Sequence, residues 1–151
     1  ARTVVVLALA FACGEDESAH ARHEPATPAT SAAPAGATVA RTPTATERGR
    51  YRISARPESE PVAIGRLHRW LVRVEDATGA VLFPERLRFD AGMPQHGHGL
   101  PTAPRVTERL PSGELAVDGV KFHMAGEWSI VVDVDGPAGP DRATLRVAIG
   151  P

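Results

Sequence analysis

From Glu47 onward, apolar and polar residues alternate with a period of two. In "RYRIS" Tyr51 and Ile53 share a side, and "LHRWLVRVEDATGA" sets Trp70, Val72 and Val74 against Arg69, Arg73 and Glu75 before the turn "DATG". "AVLFPERLRFDA" alternates Leu87 and Phe89 with Arg86, Arg88 and Asp90, while "PRVTERL" and "LAVDGVKFHM" flank the turn "PSGE". "EWSIVVDVDG" points Trp128, Ile130, Val132 and Val134 one way, with Glu127, Ser129, Asp133 and Asp135 among the opposite set. "DRATLRVAI" closes with Leu145, Val147 and Ile149 inward. Short runs of this period, parted by Gly, Pro and Asp turns and lacking a helical repeat, predict an all-β sandwich of about seven strands over 47–151. Trp70 and Trp128 are its expected core plugs. The cysteine pair of antibody domains is missing, so only that architecture carries over.

Upstream the pattern vanishes. Residues 14–46, "GEDESAHARHEPATPATSAAPAGATVARTPTAT", contain no large apolar residue except Val39. Such a stretch cannot bury enough surface to offset its ordering entropy, so it is expected to be a disordered Ala/Pro/Thr-rich tether. His20 and His23 are read as solvated linker residues. Before it, "ARTVVVLALAFACGEDES" places an apolar run from Val4 to Ala12 after Arg2 and just ahead of Cys13. Nine apolar residues are too few to span a bilayer, which takes about 20 as a helix, but they suit a secretory signal. Ala12–Cys13 matches a bacterial lipoprotein signal, so residues 1–13 are expected to be removed up to a lipidated Cys13. The domain would then be a lipid-anchored part of the bacterial cell envelope, on the extracytoplasmic, periplasmic side. An ordinary signal peptide cut nearby is the alternative.

Charge narrows the partners. The net charge is -1, and from Glu47 onward 13 Arg and Lys121 balance 14 acidic residues. No basic stripe stands out, so nucleic acid is not an expected partner, and the domain is expected to be a monomer. With one Cys in the chain, an internal disulfide and a cysteine-based zinc site are excluded.

The candidate chemistry lies in "AGMPQHGHGLPTAPRV". Gly92, Gly97 and Gly99 open backbone angles closed to other residues, and Pro94, Pro101 and Pro104 fix the chain between them. The stretch is expected to be a rigid loop, neither helix nor strand. If it runs locally extended, His96 and His98 project to one side, their Cα atoms about 6.5 Å apart. "KFHMAG" adds His123 and Met124 at a strand end, so Met93 and Met124, the two methionines of the chain, both neighbour histidines. Imidazole suits copper, zinc and nickel, and thioether selects Cu(I), so this donor set without thiolate argues for a copper ion. The opposing reading keeps the histidines on backbone carbonyls and both methionines over the sandwich end, making the loop a structural or partner contact. Phe122 and Met124 share one strand parity, which would turn His123 the other way. His68, on the face of Trp70 and Val72, is expected to be a hydrogen-bonded histidine at the core edge.

Catalysis is not expected. The chain has no nucleophile elbow, glycine-rich phosphate loop or metalloprotease His/Glu pair. Ser112 reads as a turn residue, and Asp133 and Asp135 as solvated strand positions.

The run from "GRLHRWLVRVEDATGA" through "GMPQHGHGLPTAPRVTERLPSGELAVDGVKFHMAGEWSIVVDVDG" to "DRATLRVAI" resembles the YtkA-like/FixH-like family of small extracytoplasmic bacterial proteins. The resemblance covers about residues 60 to 149. It is carried by Met93, Pro94, His96, Gly97, His98, Gly99, Leu100 and Pro101, then by Lys121, Phe122, Met124, Gly126 and Trp128. Ala125 departs from the proline common at that position, and His123 stands where the motif varies. The resemblance implies an immunoglobulin-like sandwich and a loose tie to copper handling and respiratory-oxidase assembly. The first expectation is thus a tethered copper-binding domain for storage, delivery or sensing, with a membrane-bound protein as acceptor. The second is a metal-free interaction module that meets a membrane complex through the same loop.

Overall fold

The computed structural model describes residues 38–39 and 42–151. The signal expected over 1–13, with Cys13, and most of the expected linker, with His20 and His23, lie outside the described residues. The described chain is all β. Its seven strands of five or more residues are β3 (Tyr51–Pro57), β4 (His68–Asp76), β6 (Arg86–Met93), β8 (Arg105–Arg109), β9 (Glu114–Val120), β10 (Gly126–Asp135) and β11 (Asp141–Ile149). Two-residue pieces complete the set: β1 (Thr38–Val39), β2 (Thr44–Ala45), β5 (Val81–Leu82) and β7 (His98–Gly99). All pairings are antiparallel, in two sheets. One runs β1-β11-β10-β6-β7, and the other runs β2-β3-β4-β9-β8 with β5 also on β4. The long strands alone give the orders β3-β4-β9-β8 and β6-β10-β11, which is the four-plus-three arrangement of an immunoglobulin constant domain.

The period-two pattern explains the layers. β10 and β11 alternate buried and more exposed positions along their length, and one inward set is Trp128, Ile130, Val132 and Val134, all 1% exposed or less. Tyr51, Ile53, Trp70, Val72 and Val74 face them from the other sheet and are equally sealed. Trp70 and Trp128 sit in this core as the sequence predicts, bridged by Phe122, whose ring centre is 5.9 Å from Trp70 and 5.1 Å from Trp128.

The structure departs from the pattern at three places. The stretch expected as a loop is a hairpin: β6 runs on to Met93, and β7 returns with Met93 opposite His98 and Gly92 opposite Gly99. "LAVDGVKFHM" is strand only to Val120, because Gly119 takes a φ of 89° and Phe122 turns into the core. Strand pairing also begins upstream of Glu47, since β2 pairs β3 and Thr46 is buried.

The sandwich has two unlike ends. At one, Asp141 at the start of β11 is 8% exposed and accepts the Thr46 hydroxyl (2.6 Å) and the N–H groups of Arg48, Arg50 and Arg142. Tyr51 ties down the same end: its hydroxyl donates to the Gly139 carbonyl (2.9 Å) and accepts the Ala138 N–H (3.0 Å). At the other end lie the tips of β6 and β9, the beginning of β10 and the histidines.

Candidate metal centre

The β6–β7 hairpin positions two of the three relevant imidazoles. Pro94 presets φ at the second position of a β-turn that closes when His96 N–H donates to the Met93 carbonyl (3.0 Å). Gly97 follows with a φ of 66°, a left-handed step that turns the chain back into β7. His96 is therefore in the turn and His98 in the strand, and the segment is not extended between them. The two rings are nevertheless close, their centres 6.3 Å apart and their planes inclined by 13°. At that separation they are parallel but not in stacking contact.

The connection from β9 to β10 supplies the third ring. Phe122 is fully buried, which turns its neighbour His123 outward, and His123 stands edge-to-face with His98 at 5.7 Å between ring centres. On its other side His123 meets Trp128 at 5.4 Å and 85°. The Trp128 indole N–H donates to the Met124 carbonyl (3.2 Å), fixing the bend that carries His123. The chain thus brings His96, His98 and His123 into one exposed cluster from two segments about 25 residues apart.

The methionines divide. Met124 is partly buried against the core, although it lies beyond the end of β9 and so outside any strand. Met93 is 3% exposed, with its methyl directed at Gly126. His68 is outside the cluster: a β-bulge separates it from Trp70, and its Nε2 donates to the Ala63 carbonyl at 2.8 Å.

Copper or zinc bound to imidazole lies about 2.0 Å from the nitrogen and so about 3.2 Å from the ring centre. Two rings that share one ion can therefore have centres at most about 6.4 Å apart. Both measured pairs fall inside that limit. Among the described residues, however, no three His, Cys, Asp or Glu side chains are set around a common point. Exposed imidazoles rotate on a picosecond-to-nanosecond scale, so the rings are within reach of an ion without being arranged around one. The donor type at the exposed end is imidazole nitrogen, which suits copper among the divalent transition metals.

A groove of about 450 Å³ lies away from this cluster, lined by Arg48, Arg86, Arg88, Asp133, Asp135 and Arg142 among others. Its charges are largely spent on one another: Arg142 donates to Asp133 at 2.6 Å, and Arg86 is 4.0 Å from Asp135. Sequence reasoning placed Asp133 as a solvated strand residue, and its pairing with Arg142 accounts for it.

Gly126 and Trp128 stand in the sequence analysis as residues of the resemblance and of the core, and the structure adds that they support the bend of His123. The place of Trp128 four residues after Met124 was visible in the sequence. No protein-family model, curated protein or solved structure matches the chain.

Proposed function

We propose that this domain is a copper-binding protein of the bacterial envelope, anchored through Cys13 on the extracytoplasmic side and acting in storage, delivery or sensing without turnover. One observation carries the reading: two separate segments converge so that the exposed His98 imidazole lies within the distance over which rings share an ion from His96 on its own hairpin and from His123 on the other segment. These residues would hold the ion, with Met124 beside His123 as a soft donor. A bound copper ion supplies transferable cargo, and the chain supplies a surface site from which a partner can take it. The resemblance to the YtkA-like/FixH-like family agrees with this role and with a membrane-bound acceptor such as an oxidase under assembly.

Calorimetric titration of the protein with Cu(I) and Cu(II) tests the reading. The expected result is binding well below millimolar that is lost in the His96→Ala/His98→Ala/His123→Ala variant. Binding no tighter than millimolar, or unchanged in that variant, overturns it. A protein that purifies without metal and loses a co-purifying partner when the hairpin is altered would instead support the interaction module.

A further inference from the structure

We infer that Met93 is a positioning residue: its thioether lies beneath the β9–β10 connection and sets the hairpin of His96 and His98 against the segment of His123, and it is not itself a metal donor. Its significance for copper rests on the reading above. The packing itself stands on three independent observations.

The main chain of Met93 is part of the hairpin at both ends. Its carbonyl accepts the His96 N–H, and it lies opposite His98 in the strand register, so the two flanking histidines are set by its backbone. Its side chain is 3% exposed and belongs to the core. Its terminal methyl occupies the place a side chain would take at Gly126, since a Cβ built there falls 2.8 Å from Met93 Cε. Gly126 also has a φ of 129°, which L side chains rarely adopt, so its backbone holds the position to glycine, and any side chain there would also have to displace the flexible end of Met93. Gly126 is two residues beyond Met124, whose carbonyl is gripped by the Trp128 indole.

Met93 is thus a packing link between two histidine-bearing segments that also meet through the rings of His98 and His123. Its methyl end is directed at Gly126 and its side chain is sealed, so the sulfur is not offered at the exposed surface where the rings stand. The soft character of the site then falls to Met124 alone, and the remaining donors are imidazoles, which serve Cu(II) as well as Cu(I).

The test uses the full chain with Met93→Leu, Met93→Ala and Gly126→Ala. It reads Cu(I) and Cu(II) affinities separately, together with the imidazole NMR signals of the metal-free protein. Met93→Leu conserves volume and lacks sulfur, so both affinities are expected to stay within about twofold and all three histidine signals to stay in place. Met93→Ala and Gly126→Ala are expected to weaken both ions together by about tenfold or more and to shift His123 along with His98. Should Met93→Ala not fold, Met93→Val makes the same comparison. A loss of Cu(I) affinity of about tenfold in Met93→Leu, with Cu(II) unchanged, would make Met93 a donor and overturn the inference. So would a His123 signal that ignores Met93→Ala and Gly126→Ala. If the protein takes up neither ion, the copper reading fails on its own, and the imidazole signals still decide the role of Met93.

Discussion

At Asp141 a nearly buried carboxylate is kept charged by its neighbours. Burial pushes its pKa up, but the bonds from the Thr46 hydroxyl and from the N–H groups of Arg142, Arg48 and Arg50 outweigh that, leaving it at about 2 against an ordinary 3.8. A carboxyl depressed on folding contributes stability that is complete above its unfolded value and is lost as pH falls through its folded one. The Asp141 contribution should therefore be whole above about pH 4 and gone near pH 2. Asp141→Asn leaves the shape but turns an amide toward several N–H donors, and should cost about 2–3 kcal/mol at neutral pH. Urea unfolding between pH 2 and 6 checks both points: the wild type should lose stability across the lower half of that range, and the variant should lose less. Parallel curves would mean that another group governs acid unfolding.

Among the elements, the β6–β7 hairpin shows how turn chemistry sets a site. Gly97 is the cleanest probe, because a Cβ there would meet nothing within 4 Å and only its φ of 66° argues for glycine. Gly97→Ala should therefore destabilise by about 1 kcal/mol through backbone strain alone. It should also move the His98 ring signal while leaving that of Trp70 unchanged. Thermal unfolding with NMR of the ring protons measures the two together. The long strands were legible from sequence because each buries one face: the positions of Trp128, Ile130, Val132 and Val134 dictate β10 without outside help. The hairpin was not. Pro94 and the glycines around it signal a break in regular structure, and they signal it equally for an open loop and for a four-residue turn between paired strands. What separates the two is the pairing of Met93 with His98, which local composition does not encode.

Across the whole molecule, the two sheets are joined by different means at the two ends. Thr46 reaches Asp141 across 95 positions, and Tyr51 reaches the Ala138–Gly139 turn across 87 and 88. Tyr51→Phe removes both bonds of the hydroxyl and should cost about 1–3 kcal/mol, a loss read directly from denaturant midpoints. At the histidine end the join is aromatic and apolar, from Trp70 through Phe122 to Trp128 and outward to His123. The sequence showed which residue types converge there but not that His123 joins His98, because that meeting depends on Phe122 folding inward between two strands. Nor did it show that Met93 is covered, since the cover is Gly126, 33 residues away.

One of the two-residue strands, β1, marks the same pole as the histidines. Thr38 and Val39 pair with Ala148 and Val147, near the finish of β11 and so beside Gly126 rather than beside Asp141. Thr38 thus lies at the imidazole-bearing pole, about 19 Å across the sheet from β7 at the usual strand spacing. The two edges of that sheet, β1 and the histidine-bearing β7, therefore end at one pole of the sandwich, with β11, β10 and β6 between them.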